Sequence, residues 1–337
     1  MHIRQIVKSW EQIVSTGMLS TTKMLNFRQK LSFLGNLIIG KAVSGFQIRG
    51  GSLFPDKVFY VIRRNNYRVG LFSMYITTAG HIKYALDNGF IPVVDMSNYK
   101  NAYLERKKQG KENSWEFFFH QPTEYSLRDA YKAKNVILSN LAPTTVRPND
   151  SMEFFNNSDG LQDEWRIIAR NYMKIRDDIK SEADEFSTKL FKGKRVLGVA
   201  LRGTDYVALR PHGHPIQPSV DTVIEDARRM MEKYRCDCIY LSTEDEAIIG
   251  DFRKAFGETC IVFNRALLSY DGGWIIDCLN NENPTRKDVS GRNYLISILL
   301  LTKTNVLLSS RASSNVGAKM ITEGWEYEHY YDLGLYP

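Results

Sequence analysis

The chain has 337 residues, a length that suits two domains of ordinary size or one large α/β unit. Apolar residues make up 43% and charged residues 25%, which excludes wholesale disorder, collagen and coiled coil. Residues 1–110 hold 16 Lys and Arg against 5 Asp and Glu, a balance of +11, whereas the rest of the chain carries −4. This basic third suits an anionic partner, such as lipid headgroups or a pyrophosphate-linked acceptor, or it is a solvated face with no partner.

No nucleic-acid module is present, and the basic residues are dispersed along the chain, so we expect no nucleic-acid partner. The longest apolar candidate for a membrane span, Tyr294 to Ser310, is interrupted by Lys303. The N-terminus lacks the pattern of a cleaved signal peptide. The four cysteines form neither a disulfide framework nor a paired CxxC zinc site, so we expect reduced, mostly buried thiols in a cytoplasmic protein.

Residues 1–50 are polar and helix-like, and they close on a more apolar segment, Leu31–Gly40, with a lysine at each edge. This segment could lie against a membrane surface, or it could pack as a helix on the main body.

Strand and helix signals alternate through the first half. We predict a helix over Gly80–Asn88 and strands at Lys57–Ile62, Ile91–Met96 and Asn135–Ser139. Strands separated by helices indicate a parallel sheet with crossover connections. A long helix, with an apolar stripe from Leu161 to Ile179, then separates the two halves.

The alternation restarts in the second half with greater regularity. The predicted helices are Pro218–Arg235, Glu246–Phe256 and Arg292–Thr302, and the predicted strands are Arg195–Leu201, Cys238–Ser242, Thr259–Phe263 and Val306–Ser309. The pattern predicts an α/β fold with two Rossmann-like, doubly wound domains that face each other across a cleft.

Ligands of such sheets bind just beyond the carboxyl ends of the strands. Three polar segments follow strands in the second half: Arg202–Asp205, Ser242–Asp245 and Ser309–Gly317. The last brings hydroxyl groups and free backbone N–H groups to a helix N-terminus, and Arg202 offers a planar fork of donors; both favour pyrophosphate. Each segment alone could be a helix cap or a surface ion pair. Together they predict a phosphate site.

Several phosphate and metal signatures are missing. There is no GxxxxGK[ST], no GxGxxG at the first helix of either half, no Asp-x-Asp and no His-Glu-x-x-His. We therefore expect a phosphate site that uses arginine, hydroxyl groups and a helix terminus, with no metal.

Three motifs carry a resemblance to known enzymes. Gly198–Asp205, followed by His214–Ile216, resembles the first motif of the α-1,6-fucosyltransferases and nodulation fucosyltransferases, and protein O-fucosyltransferases carry a related arginine motif. Ile239–Asp245 resembles their second motif, and Val306–Gly317 resembles the third, a strand that ends in a serine pair. The resemblance covers roughly residues 194–322. The first half matches only loosely, chiefly at Gly70–Ser73 and Val93–Asp95.

The resemblance implies a two-domain glycosyltransferase of the GT-B type that inverts the anomeric centre without metal. Its domains would be an N-terminal helical segment at 1–50, an acceptor domain at 51–190, a donor domain at 191–322, and a tail at 323–337 that packs on the first domain. It implies a nucleotide-sugar donor, with GDP-fucose the leading candidate, and a glycan or lipid-linked oligosaccharide acceptor. Cell-surface polysaccharide synthesis at the inner membrane face would suit a cytoplasmic, peripheral protein.

Site residues follow from the same resemblance. Arg202 would bind the donor β-phosphate, Asp205 would order the loop around it, and Asp245 would help to fix the donor. Ser313 or Ser314 of the third motif would hydrogen-bond the pyrophosphate. The full expected donor set is Arg202, Thr243, Asp245, Ser310, Arg311, Ser313, Ser314 and Asn315.

Three positions depart from the family pattern. Ala200 stands where those enzymes have a histidine that helps to recognise guanine, and Ser297 lies near the place of a nucleoside-directed aspartate. Arg210 falls where the core-fucosylating branch has its proposed glutamate base, and arginine cannot act as a base at neutral pH. A non-GDP donor with another sugar therefore stays open, as does a nucleotide- or sugar-binding module without catalysis.

The catalytic base must then be another carboxylate or imidazole. Asp95 is the first candidate, because it ends a strand of the first half and would point at the cleft. His212 and His214 follow, in a loop rich in proline and glycine, although His214 could simply order that loop. Asp205 is the last, since its place beside Arg202 suggests a structural partner.

Overall fold

The computed structural model describes residues 26–31, 45–49, 51–64, 69–141, 143–263 and 287–337. These residues form two compact units. Unit 1 takes its described residues from Met1–Gly70, Met74–Pro148 and Ile168–Ile175, and unit 2 takes its residues from Leu71–Ser73, Asn149–Ile167 and Arg176–Pro337. The segment Leu31–Gly40, apart from Leu31 itself, lies outside the described residues.

The sheet of unit 1 has the strands β1 Phe46–Arg49, β2 Leu53–Arg63, β3 Ile91–Asp95 and β4 Ala133–Leu138. They lie in the order β1-β4-β2-β3, with β2 parallel to β3 and β4 and with β1 antiparallel to β4. The three strands predicted for this half are confirmed, and β1 was missed. Residues of β2, β3 and β4 are buried in the apolar core of this unit.

Two of the described helices lie next to strands of this sheet in the chain. Helix α1 is Leu71–Asp87 and follows β2, whereas α2 is Leu127–Lys132 and precedes β4. The helix predicted over Gly80–Asn88 is the second half of α1, because buried apolar residues continue back to Leu71. Helix α2 is capped by Ser126, whose hydroxyl accepts the Asp129 N–H while the Asp129 carboxylate accepts the Ser126 N–H.

The sheet of unit 2 has the strands β5 Val196–Ala200, β6 Cys238–Ser242, β7 Cys260–Val262, β8 Val306–Ser309 and β9 Tyr327–Tyr330. The order is β7-β6-β5-β8-β9, and every neighbouring pair is parallel. Four strands were predicted and are confirmed. Because β5 lies at the centre with later strands on both sides, the connections reverse direction there, which makes a switch point.

The helices that follow β4 in the chain are α3 Met152–Phe155, α4 Leu161–Tyr172, α5 Asp177–Phe191, α6 Thr204–Leu209, α7 Val220–Tyr234, α8 Glu246–Phe256, α9 Lys287–Leu301 and α10 Ser313–Ile321. The expected α/β class is confirmed; the sheet of unit 2 is parallel throughout, whereas the sheet of unit 1 is mixed, because β1 runs antiparallel to β4.

The long helix predicted from Leu161 to Ile179 is wrong as one element. It is divided into α4 and α5, because residues 173–176 leave the helical conformation and Ile175 forms a backbone bridge with Phe119. The second of these helices belongs to unit 2, where Arg292 of α9 pairs with Asp178 and Glu182 of α5. The first domain therefore does not extend to residue 190.

The C-terminal tail, which was predicted to pack on the first domain, contributes a strand to the sheet of unit 2. Strand β9 pairs with β8 and so extends the sheet of unit 2. Beyond it, Tyr336 exchanges backbone hydrogen bonds with Gly213 and His214. Without β9, strand β8 would be an edge with unpaired N–H and C=O groups, and the tail satisfies them.

Candidate functional site

A recess opens at the carboxyl ends of β5, β6 and β8 in unit 2, at the switch point of the sheet. The strand ends and the two helices α9 and α10 contribute its lining, which is Ala200, Leu201, Arg202, Ser242, Glu244, Tyr294, Ile298, Ser310, Ala312, Ser314 and Asn315. The three polar segments that the sequence placed at strand ends therefore meet in one place.

Arg202 follows β5, and its guanidinium is held from several directions. Its Nη2 donates to Asp205 at 3.1 Å, and its charge lies over the Tyr206 ring at 4.6 Å from the centroid. Its Nε lies 3.7 Å from a Glu244 carboxylate oxygen, within ion-pair range, but this buried atom has no hydrogen-bond partner. Although burial opposes the charge, Glu244 and Asp205 raise the pKa of Arg202, so the side chain stays cationic.

Glu244 was not chosen from the sequence, although it stands inside the second motif. Its Oε1 accepts the Gly203 N–H at 3.2 Å and the Thr204 hydroxyl at 3.1 Å. It thus ties the loop after β5 to the loop after β6 and brings a carboxylate to the recess. The signal that could have found it was its place directly after a strand, next to residues that were chosen.

Asp245 does not line the recess; it holds the loop after β5 and the first turn of α8. It caps α8 by accepting the Ala247 N–H, and it also accepts the Thr204 N–H. Thr204 has a φ of +47°, an unfavourable conformation for a β-branched residue, and these bonds help to hold it. At Gly203 an added Cβ would lie 2.4 Å from an Asp245 carboxylate oxygen, so only glycine fits beside this cap.

Helix α10 begins at the recess. The residue that precedes it, Ala312, supplies no side-chain cap to its first N–H groups. Ser314 is half-buried and lines the recess, as do the buried residues Ser310 and Asn315. The amide of Asn315 donates to the Ser310 carbonyl at 2.6 Å, whereas its Oδ1 is buried without a hydrogen-bond partner. This end of the recess offers N–H groups and a hydroxyl to an anion, and an acceptor to a donor group.

Of the expected donor set, Arg202, Ser310, Ser314 and Asn315 line the recess, and four residues do not. Arg311 donates instead to the Asp150 carbonyl at 2.8 Å and to Asp332 at 2.5 Å, so it fixes two other segments of unit 2. Thr243 accepts the N–H of Asp245 in the turn before α8. Ser313 is half-buried in the first turn of α10.

His214 lies near the recess but does not line it. Its Nδ1 is 3.1 Å from the Tyr206 hydroxyl, and Tyr206 is the ring on which Arg202 stacks. Burial raises the pKa of Tyr206 to about 12, so the hydroxyl is neutral at physiological pH. His212 is exposed on the same loop. Asp205, almost wholly buried, is occupied by Arg202 and by the Thr204 hydroxyl.

The expectation that Asp95 faces an open cleft does not agree with the structure. Asp95 ends β3 in unit 1 and has no exposed surface. One oxygen accepts the N–H groups of Ser97 and Asn98, and the other accepts the Asn98 amide and the Tyr131 hydroxyl at 2.6 Å. Burial raises the pKa of Asp95, although these hydrogen bonds oppose the rise. Such a carboxylate closes a loop and cannot reach a substrate as placed.

The three departures from the family pattern have distinct places. Ala200 lines the recess, where it offers only a methyl group. Ser297 is buried on α9, and its hydroxyl donates to the Tyr294 carbonyl. Arg210 is exposed after α6 with a φ of +44°. Among the described residues, no group of three or more His, Cys, Asp or Glu side chains could hold a metal ion, and no helix is long and apolar enough to cross a membrane.

No protein-family model and no curated protein matches this sequence. Among solved structures, the chain is similar to NodZ alpha-1,6-fucosyltransferase soaked with GDP-fucose, with 16% identity and a TM-score of 0.47 over 79% of this chain and 93% of that chain. It is also similar to fucosyltransferase NodZ from Bradyrhizobium, with 16% identity and a TM-score of 0.48 over 82% of this chain and 96% of that chain. The similarity to POFUT1 in complex with GDP-fucose has 9% identity and a TM-score of 0.47 over 83% of this chain and 99% of that chain.

Proposed function

We propose that the chain is a glycosyltransferase that binds a nucleotide sugar in the recess of unit 2 and transfers its sugar to a glycan acceptor. One observation carries the proposal: an arginine and an uncapped helix N-terminus meet in a recess where two buried polar atoms find no hydrogen-bond partner in the described part of the chain. These atoms are Nε of Arg202 and Oδ1 of Asn315. Native proteins rarely leave buried polar atoms unpaired, so a polar ligand is the simplest occupant.

The chemistry of such a transfer fits the groups present. When the bond between the sugar and the diphosphate breaks, negative charge builds on the departing β-phosphate. In the proposed reaction, Arg202 and the first N–H groups of α10 face this charge and stabilise it. Donors fixed in advance at a developing charge lower the barrier, and the loss of one typically costs on the order of 3 kcal/mol. The contacts of Arg202 with Asp205, Tyr206 and Glu244 hold it ready.

Fucose is the leading sugar, because the three motifs of unit 2 resemble fucosyltransferase motifs. Ala200 does not select the base of the donor nucleotide, because its methyl group in the recess cannot hydrogen-bond a base. A thermal-shift panel of GDP, UDP, TDP and CDP tests this point. A ligand that binds only the folded chain adds about 2.7 kcal/mol of stability at a hundred times its Kd. At equal concentrations of the four nucleotides, the one with the lowest Kd therefore gives the largest shift in melting temperature. The absence of a shift with all four would contradict a nucleotide site, whereas equal shifts would show that the site binds the diphosphate without selecting the base.

The Arg202→Lys variant tests the diphosphate contact directly. Lysine keeps the charge but loses the planar fork, so the affinity for a nucleoside diphosphate should fall at least tenfold, about 1.4 kcal/mol. The affinity for the matching monophosphate should change little, since it has no β-phosphate for Arg202 to hold. Titration calorimetry with both ligands measures the two affinities.

Asp205→Asn is the matched control, because it removes the negative charge that pairs with Arg202 and leaves the fork in place. It should lower the melting temperature and weaken both nucleotides alike. If Arg202→Lys also weakens both nucleotides alike, Arg202 orders its loop and does not bind the β-phosphate.

One observation favours a second function, a binding module without catalysis: none of the four expected bases lines the recess. Asp95 is buried in unit 1, Asp205 is paired with Arg202, and the two histidines lie outside the lining. For the enzyme, we propose His214 as the first base to test, since Tyr206 links it to Arg202. Slow release of nucleoside diphosphate from the nucleotide sugar without acceptor would indicate an enzyme. A bound but intact donor after prolonged incubation would indicate a binding module.

We also propose that the basic N-terminal third brings the chain to an anionic membrane surface, where lipid-linked acceptors are assembled. Deletion of residues 1–45 should then weaken binding to anionic liposomes and leave nucleotide binding intact. Equal binding of the full chain to neutral and anionic liposomes would contradict the electrostatic attraction.

A further inference from the structure

A second group of basic side chains lies in unit 1, at the end of β2. Successive side chains of a strand point to opposite faces, so Arg63 and Arg64 separate. The buried Arg63 donates to the Ser139 carbonyl at 2.6 Å and to the Tyr99 hydroxyl at 3.3 Å. Arg64 is directed to α1, where its Nη1 donates to the Thr77 hydroxyl at 2.5 Å.

Arg147 meets the same helix one turn later. An added Cβ at Gly80 would lie 2.9 Å from the Arg147 Cβ and 2.7 Å from the Val146 carbonyl oxygen, so this segment lies directly on the backbone of α1. Residues three apart on a helix share one face and lie about 5–6 Å apart. Thr77 and Gly80 therefore bring the two arginines to one face of α1.

The two guanidinium groups are like charges, and no carboxylate of the described residues pairs with either of them. Burial, together with the positive charge of Arg147, lowers the pKa of Arg64 to about 10. Three carboxylates of unit 1 in the described part of the chain, Asp87, Glu105 and Glu112, pair with lysines. Two half-buried like charges destabilise the unliganded chain, and a bound anion would remove that cost.

We propose that Arg64 and Arg147, with the Thr77 hydroxyl, form an anion-binding site on α1 for a phosphate or carboxylate group. Two guanidinium forks with a hydroxyl donor suit an oxyanion, and Arg binds such groups through paired N–H donors. The assignment of this anion to the acceptor, as an acidic sugar or a phosphate of a lipid-linked glycan, rests on the proposed function. The anion site itself stands on unit 1 alone.

The test uses thermal unfolding of the full chain in sodium phosphate and in sodium chloride of equal ionic strength. All proteins carry Arg202→Gln, which removes the principal cation of the recess in unit 2. In this background phosphate should raise the melting temperature by roughly 3 °C over chloride. Addition of Arg147→Gln should abolish that shift. Addition of Arg106→Gln should leave it unchanged, because Arg106 is an exposed arginine of unit 1 that pairs with no described carboxylate.

A second signature separates binding from packing. In chloride, Arg147→Gln should keep or raise the melting temperature, because it relieves repulsion. If Arg147→Gln lowers the melting temperature in both buffers and leaves the phosphate shift unchanged, the proposal is overturned. The absence of any phosphate shift before Arg147 is changed would also overturn it. A glucuronate arm identifies the anion, since a carboxylate site gives a larger shift with glucuronate than with phosphate. Nucleotide binding in the wild-type chain tests the proposed function separately.

Discussion

The strand ends of both units carry charged residues, but the two units differ in how far neighbouring groups satisfy the hydrogen-bonding capacity of these residues. In unit 1, the carboxylate of Asp95 is fully buried and accepts four hydrogen bonds from three neighbouring residues. In unit 2, Arg202 is 21% exposed, and its Nε has no hydrogen-bond partner. One cluster is complete in the folded chain, whereas the other leaves a group for a ligand.

This difference shows what the rule about strand ends can and cannot predict. The rule says where polar side chains gather, because the carboxyl ends of parallel strands share one edge. It does not say whether neighbouring side chains already satisfy them. A polar residue at a strand end is a binding candidate only when its hydrogen-bonding capacity exceeds what its own loop uses.

The largest expected effect comes from Asp95→Ala in the closed cluster. The change leaves the Tyr131 hydroxyl and the loop N–H groups buried without an acceptor, so we expect a loss of about 3 kcal/mol in the free energy of unfolding. Denaturant unfolding measures it. Nucleotide affinity of the folded fraction should stay unchanged, because none of these residues lines the recess.

A stable Asp95→Ala chain that lost only transferase turnover would reverse this comparison. It would mean that Asp95 serves the reaction and that its loop opens to expose it. Asp95→Asn is the matched variant here, since it preserves the size of the side chain and one acceptor oxygen.

Sequence reasoning predicted the sheets better than the boundaries and contacts between segments. Strands such as β5 and β6 are short apolar runs bounded by polar loops, and burial on both faces makes that pattern unambiguous. The tail strand β9, with the sequence Tyr-Glu-His-Tyr, has no such pattern, because it lies at an edge. The break between α4 and α5 was hidden because the bridge from Ile175 to Phe119 pairs residues far apart in sequence.

The residues of the recess were predicted only in part, because some of them depend on contacts between segments that are distant in sequence. The sequence located Arg202, Ser310, Ser314 and Asn315, since each follows a recognisable strand. It did not identify Glu244, whose role depends on bonds to another loop, at Gly203 and Thr204. Tyr294 enters the recess from α9, so no strand-end argument could have named it.

The pH dependence of stability gives the next largest effect. Burial raises the folded-state pKa of Asp95 above its unfolded value of about 3.9, so the folded chain binds this proton more tightly. Its contribution is fully present below pH 3.9 and is lost as the pH rises through the folded pKa. The wild type should therefore lose stability relative to Asp95→Asn by up to about 1.4 kcal/mol per pH unit in that window.

Unfolding of both proteins from pH 3.5 to 8 measures this difference. Above the folded pKa the two curves should run parallel. A difference that is constant over the whole range would show that the Asp95 carboxylate has an ordinary pKa, and the cluster would then be less closed than its burial indicates.

A smaller effect is expected from Tyr331→Phe beside the added edge strand. The Tyr331 hydroxyl donates to the Asp226 carboxylate at 2.7 Å and joins the tail to α7 within unit 2. Its loss should reduce the free energy of unfolding by about 1.5 kcal/mol, the usual value for a hydrogen bond to a charged group. Denaturant unfolding measures it. Nucleotide affinity should not change; a marked loss would mean that the tail shapes the recess.

The smallest effect is expected from Glu244→Gln, and its sign decides what the carboxylate does in the open cluster. Glutamine keeps an oxygen for the N–H of Gly203 and the hydroxyl of Thr204, so the loops should stay joined. It removes a negative charge beside Arg202. If the diphosphate lies at Arg202, its affinity should therefore rise by on the order of 0.5 kcal/mol, roughly twofold.

Titration calorimetry with nucleoside, monophosphate and diphosphate separates this outcome from the alternative. A gain from lost repulsion grows with the number of phosphates and is absent for the nucleoside. If Glu244 instead accepts hydrogen bonds from ribose hydroxyls, Glu244→Gln should weaken all three ligands by a similar factor. Glu244→Ala is the control for loop order, because it removes the bonds to both Gly203 and Thr204 and should weaken all three ligands while lowering the melting temperature. A change in affinity without a change in melting temperature therefore assigns Glu244 to the ligand, and its dependence on phosphate number shows which part of the ligand it meets.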